Sequence, residues 1–290
     1  MHDFMILSDS AHDLPKTLLQ ELGVESVPLS VEYDESTVFA DGSMDPHEFY
    51  NGIRAGKMPK TAAVNPEQWR SKMEPALADG RDVLVLAFSS ALSATYQSAV
   101  IAAEELGEKY PQRTIRVVDT LSASVGHGLL LWNAAKRREA GESLEEVYRW
   151  LMENRLHVCH WVTVNDLMHL KRGGRVSAAT AVVGTMLQIK PVIVVNDEGR
   201  LDTVAKARGR KSAISTLVQK LEETGIPGAN ETVFLGHGDC PEEAEALAEQ
   251  LKGKCGVKNV VITHVGNVIG SHTGPDVLVI AFLGKQRIGS

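Results

Sequence analysis

The chain is poor in the features that narrow chemistry at a glance. Among its 290 residues are three cysteines, Cys159, Cys240 and Cys255. An odd number without C-x-x-C spacing argues against a disulfide framework or a zinc ribbon and fits a reducing compartment. No apolar run approaches the length of a membrane span, and the start, MHDFMILSDS, lacks the basic and long apolar regions of a signal peptide, so the expected location is cytoplasmic. Positive charge is in deficit, with 30 Lys+Arg against 37 Asp+Glu, a net charge of −7 and a pI near 5.8. That balance disfavours a general binder of nucleic acid or of anionic membranes. The common catalytic signatures are missing too: no G-x-x-x-x-G-K-[ST], no H-E-x-x-H, no G-x-S-x-G. Gly126-His127-Gly128 opens a dinucleotide pattern, but Leu131 stands where the third glycine belongs. His237-Gly238-Asp239-Cys240 has no second ligand cluster beside it and reads as a structural turn, so no metal is expected.

What is present is an ordinary globular composition, 43% hydrophobic and 23% charged, in a chain long enough for about two domains. Phe4 to Leu7 is a short apolar run, followed by Ser8-Asp9-Ser10 and a helix opening at Asp13-Leu14-Pro15 and closing near Gly23. The same grammar recurs at Val83 to Phe88, followed by a helix over about Ala91 to Glu108, and at Ile115 to Val118, followed by a polar loop and helix. Strands alternating with helices predict an α/β fold with a largely parallel sheet. Beyond a charged helix over Glu142 to Asn154 come strand-like runs at Val158 to Val164, Pro191 to Val195, Leu201 to Lys206, Thr232 to Leu235, Val260 to His264 and Val277 to Phe282. A domain boundary is expected near residue 160, giving units 1–160 and 161–290. Charge is uneven: Lys171 to Lys211 holds nine basic and three acidic residues, a local +6 that leaves −13 on the rest of the chain. This is either a solvated surface or a basic face for an acidic partner or a phosphate.

Three stretches offer polar groups where a ligand could sit. Ser89-Ser90-Ala91-Leu92-Ser93-Ala94-Thr95 lies where a strand gives way to a helix, which is either an anion site of hydroxyls and free N–H groups or simple helix capping. Lys60 to Pro66 reads as an irregular stretch before the helix at Pro66, with Thr61 among small residues. Gly266-Asn267-Val268-Ile269-Gly270-Ser271-His272-Thr273-Gly274-Pro275 reads as a glycine-flanked loop carrying a histidine. Taken alone, that histidine is more often a hydrogen-bonded structural group than a catalyst.

In this order and spacing, these segments resemble the DegV family, whose members include the fatty-acid-binding B subunits of bacterial fatty acid kinases. The likeness runs from Ser8-Asp9-Ser10 through Val27-Pro28-Leu29, Asp41, the Thr61 loop, Ser90 to Ala99 and Asp119-Thr120. It continues through Leu170-Lys171-Arg172-Gly173-Gly174-Arg175-Val176-Ser177, Ile189-Lys190-Pro191 and Arg208 to the His272 segment. The chain departs from the family pattern twice: Thr61-Ala62-Ala63-Val64-Asn65 stands for Thr-Ser-Gln-Pro-Ser, and Ser93-Ala94-Thr95 for Ser-Gly-Thr. The key hydroxyls survive, while the head-group lattice or the pocket mouth is altered.

The resemblance implies two α/β domains with a lipid between them, the first with a mainly parallel sheet in α/β/α layers and the second with a mixed sheet. It implies that Thr61 and Ser93 hydrogen-bond the carboxylate of a long-chain fatty acid, that His272 belongs to the same polar network, and that Arg172 or Arg175 approaches the head group. It also implies a binding protein rather than an enzyme, with no cofactor, presenting the carboxylate to a separate fatty acid kinase catalytic subunit. Arg208 and Arg210, with the rest of the basic segment, are expected to contact that partner. Two other readings are an enzyme, for example a hydrolase with Ser93 as nucleophile and His272 as base, and a polyol-binding protein related to dihydroxyacetone kinase.

Overall fold

The computed structural model describes residues 4–165, 167–176 and 188–287; Ser177, part of the family-like basic segment, lies outside them. The first strand shows how the architecture arises. β1 (Phe4–Asp9) is buried at every position, and its side chains alternate between two cores, Phe4 and Ile6 on one face, Met5 and Leu7 on the other. Such a strand needs helices on both sides and belongs at the centre of a parallel sheet. It pairs in parallel with β2 (Val24–Val27) and β6 (Asp82–Ala87), and β6 pairs with β7 (Ile115–Asp119), giving the order β2-β1-β6-β7. The short helix α1 (Lys16–Glu21) links β1 to β2. One face of the sheet is covered by α3 (Pro66–Ala78) and α4 (Thr95–Lys109), the other by α5 (Ser124–Glu139) and α6 (Leu144–Asn154).

The chain enters a second sheet at β8 (Val158–Thr163). With β9 (Ile189–Val195), β10 (Leu201–Arg208), β11 (Thr232–His237), β12 (Asn259–His264) and β13 (Leu278–Leu283) it makes six strands in the order β10-β9-β8-β13-β11-β12. Only the β11–β12 pair is parallel. Helices α8 (Arg210–Thr224) and α9 (Pro241–Cys255) cover its outer face over Trp161, Val192, Leu235 and Ile280. Its inner face, including Val162, Ile193, Phe234 and Val279, shares one core with α5 and the first sheet. The two α/β units are therefore joined through a common apolar layer. Arg287, 1% exposed, adds a polar tie, its guanidinium meeting the carbonyls of Leu121, Arg155, Val158 and Asn196.

Two segments read as loops are regular. Lys60–Ala62 is a strand, β5, at the edge of a small antiparallel sheet with β3 (Ser30–Asp34) and β4 (Thr37–Ala40), placing Thr61 opposite Val31. Asn267–Thr273 is a helix, α10, between the flanking glycines. It touches α7 (Met168–Arg172) and α2 (Pro46–Arg54), and Gly270 lies so close to Tyr50 that a Cβ there would meet Oη at 2.6 Å. A third difference is smaller: α4 begins at Thr95 rather than near Ala91, because residues 89–93 form a tight turn in which Leu92 N–H and Ser93 N–H both donate to the Ser89 carbonyl. Among the described residues, no helix is long and apolar enough to cross a membrane.

Candidate ligand cavity

Where the two sheets face each other lies a cavity of about 230 Å³. The second sheet contributes Val162, Ile193, Val195, Leu201 and Val279, α10 contributes Val268 and Ile269, and the first unit contributes Leu29, Phe88 and Leu92. Against this mainly aliphatic lining stand the polar side chains of Thr61, Ser93, Ser124, His160, Arg175, His272 and Thr273, of which Thr61 and His272 are hydrogen-bonded to each other.

His272, on the last turn of α10, has its Nε2 2.8 Å from Thr61 Oγ1. Its Nδ1 faces Gly173, where a Cβ would stand 2.2 Å away, so the glycine after α7 is what admits the ring. Burial, with the nearby Arg175 charge, lowers the imidazole pKa to about 4, keeping the ring neutral near pH 7. Arg175 is half-buried, hydrogen-bonding the Leu92 carbonyl through Nε at 3.3 Å and the Gly173 carbonyl through a terminal nitrogen. Ser93 Oγ lies 2.8 Å from Thr95 Oγ1 and accepts the Thr95 N–H at 3.2 Å, just ahead of α4, whose N-cap residue Ala94 offers no side-chain cap.

The helix that carries His272 is held by carboxylates from elsewhere in the chain. Asp13 accepts the Gly266 N–H at 3.0 Å, and Asp41 accepts the Val268 N–H at 3.1 Å and the Ser10 hydroxyl at 2.7 Å. In return, Asn267 Oδ1 accepts the Gly42 N–H at 3.1 Å. Two carboxyl groups thus accept from the free N–H groups at the buried start of α10. Desolvation raises both carboxyl pKa values, that of Asp13 strongly. The sequence marked Asp41 only within a resemblance and Asp13 only as a helix opener.

Of the arginines, Arg175 lines the cavity and Arg172, exposed on α7, does not. Arg208 is exposed at the end of β10. Arg210 is engaged within its own unit, gripping Glu243 with Nε at 3.0 Å and Nη2 at 2.7 Å and donating to the Asp276 carbonyl at 2.6 Å. Among the described residues, the nucleophile–base pair that a Ser93/His272 hydrolase needs is not formed: His272 bonds Thr61, Ser93 bonds Thr95, and no carboxylate is hydrogen-bonded to the ring. The mostly aliphatic walls also do not suit a polyol. Among the described residues, no group of three metal-ligating side chains occurs.

An apolar cavity between two α/β units, with a few polar side chains on its wall, is the plan of a protein that binds an amphipathic small molecule. A family model described as an uncharacterised protein of the DegV family matches residues 3–285, and the chain belongs to that family. A DegV domain-containing protein of Clostridium perfringens is 44% identical over 289 residues, 99% of each chain. Among solved structures, a DegV lipid binding protein from Thermotoga maritima is 31% identical with a TM-score of 0.86, covering 99% of this chain and 100% of that one. A DegV family protein from Thermus thermophilus, described for its fatty acid binding, is 33% identical with a TM-score of 0.86, over 97% of this chain and 99% of that one.

Proposed function

We propose that this chain holds a long-chain fatty acid in the cavity and presents its carboxylate to a partner kinase for acyl-phosphate formation. The observation that carries the reading is the hydrogen-bonded pair of Thr61 and His272, with Ser93 on the same mainly aliphatic cavity; relatives described as fatty-acid-binding add to it. Each buried methylene contributes about 0.8 kcal/mol, so enclosing an acyl tail supplies on the order of 10 kcal/mol. The carboxylate loses hydration at the cavity and needs donors in place of water. With its proton on Nε2, neutral His272 donates to Thr61 Oγ1 and frees the Thr61 hydroxyl to donate to the carboxylate. Ser93 supplies a second hydroxyl. Neutral donors leave the carboxylate oxygen nucleophilic, which suits phosphoryl transfer from a nucleotide carried by another protein. In this reading the chain is not itself an enzyme, needs no cofactor, and works in the cytoplasm as two units, 1–160 and 161–290.

For the kinase face, Arg208 is the better candidate, with Arg172 beside the cavity segment; Arg210 is already committed to Glu243 and Asp276. Reversing Arg208 is expected to slow acyl-phosphate formation with the kinase while lipid retention stays intact, and unchanged turnover would remove that face.

The lipid reading is tested by native mass spectrometry of the protein from its expression host, followed by lipid extraction, with Ser93→Ala alongside. A stoichiometric fatty acid that is depleted in the variant supports it. A wild-type protein that carries none and takes up neither oleate nor palmitate rejects it.

A further inference from the structure

One polar side chain on the cavity wall has no part in holding a carboxylate. His160 lies on β8, is 1% exposed and lines the cavity, yet neither ring nitrogen has a hydrogen-bond partner among the described residues. Buried polar groups are nearly always paired, and an unpaired one weakens the fold. A leucine would fill the same space without that loss. The position is built around the ring: a Cβ on Gly126, in the first turn of α5, would stand 1.9 Å from His160 Nε2, so only glycine leaves the ring room there.

Strand register locates the ring along the cavity. Val277 follows closely on α10 and its His272; from there the second sheet pairs Val279 with Val162 and then Ala281 with His160. Four residues of strand separate Val277 from Ala281, roughly 13 Å at the usual rise. A tail leaving the Thr61–His272 cluster therefore passes His160 well along its length. Burial lowers the imidazole pKa far below its ordinary value, so the ring is neutral, with one N–H to donate and one lone pair to accept.

Nε2 is packed against Gly126, and a hydroxyl suits the remaining nitrogen in either tautomer, because it can accept from an N–H or donate to a lone pair. We propose that the cavity is shaped for an acyl chain bearing a hydroxyl near its middle, and that His160 is the side chain that recognises it. The inference rests on the fatty-acid reading and names the class of acid within it. A cis double bond is the weaker match, since an N–H pointing at a π bond contributes only at second order.

The test is calorimetric titration of delipidated protein with stearate, 10-hydroxystearate, 2-hydroxystearate and oleate, in wild type, His160→Leu and His160→Asn. Wild type is expected to bind 10-hydroxystearate about tenfold more tightly than stearate or the 2-hydroxy isomer, the value of one added hydrogen bond. His160→Leu should lose that preference and keep stearate binding, and His160→Asn should retain part of it. Should His160→Leu fail to fold, the contrast between the 10- and 2-hydroxy isomers in wild type decides the matter. Equal binding of stearate and 10-hydroxystearate, a preference that survives in His160→Leu, or a preference for oleate alone would overturn the proposal and leave the fatty-acid reading standing. No binding of any acid by wild type would remove both.

Discussion

Among the described residues stand two hydroxyl–imidazole pairs, and their surroundings give them opposite characters. At the cavity, Thr61 Oγ1 and His272 Nε2 are 2.8 Å apart with ligand-sized space beside them. Under the first sheet, Ser8 Oγ and His127 Nε2 are 3.0 Å apart, and His127 Nδ1 lies 4.0 Å from Asp9. Serine, histidine and aspartate in this order resemble a catalytic triad in composition. Yet all three are fully buried, and the Ser8 hydroxyl donates to the Leu86 carbonyl at 2.8 Å instead of to the histidine. The inner pair knits β1, β6 and α5 together, while the outer pair faces a cavity. Residue types are nearly the same, and access separates a pair open to a cavity from a sealed one.

The comparison breaks most visibly at Thr61. Thr61→Val keeps the shape and removes the hydroxyl, and fatty-acid affinity is expected to fall roughly 10- to 100-fold, as for a hydrogen bond to a charged group. Titration calorimetry reads it, and an unchanged affinity would move the carboxylate elsewhere. Ser8→Ala sharpens the contrast from the other side. It leaves His127 Nε2 with the Leu86 carbonyl at 3.2 Å, so stability is expected to fall by about 1–2 kcal/mol in chemical denaturation while lipid retention is unchanged. Lipid loss without destabilisation would contradict the structural role. Gly173→Ala would bring a Cβ to 2.2 Å from His272 Nδ1, displacing the ring; affinity is expected to drop about tenfold, the worth of one hydrogen bond, with little change in melting temperature.

The smallest effect concerns pH. Burial raises the Asp9 pKa to about 7, so its contribution to stability is full below about 3.8, the unfolded value, and is lost as pH rises through about 7. Burial lowers His12 to about 4 and His127 to about 3, so theirs is full above about 6.5 and is lost as pH falls toward those values. The two arms oppose each other. Asp13 and Asp41 add to the first arm and His160, His237 and His272 to the second, so lowered imidazoles outnumber raised carboxyls and the wild-type melting temperature should fall between pH 6.5 and 4.5. In Asp9→Asn the histidine arm stands less opposed, and acidification over that range should cost the variant about 2–4 °C more than wild type by scanning calorimetry. Parallel profiles for the two proteins would remove Asp9 from this balance.

Much of the framework was legible before the structure. Apolar runs at Phe4, Val83, Ile115 and Val158 became strands within a residue or two of where the pattern put them; for those at Phe4, Val83 and Val158, burial on both faces leaves a continuous apolar signature, whereas the edge strand at Ile115 is only partly buried. Regularity that depends on distant partners was not legible. Asn267–Thr273 looks like a loop between glycines until Asp13 and Asp41, more than two hundred residues earlier, meet its N–H groups. Lys60–Ala62 is too short to announce itself and is a strand because β3 lies beside it. His160 sits in an ordinary strand with no motif around it, and only Gly126, across the core, shows that room was made for its ring.

Local composition and order therefore determined the alternation of strands and helices, the family and the identity of the hydroxyls and the histidine of the candidate site. The tertiary structure decided which polar groups face space and which are sealed, which arginine reaches the cavity and which is spent on Glu243, and how far along the wall His160 stands. The physical reason is that hydrogen-bonding capacity belongs to a residue, whereas desolvation and access belong to everything packed around it.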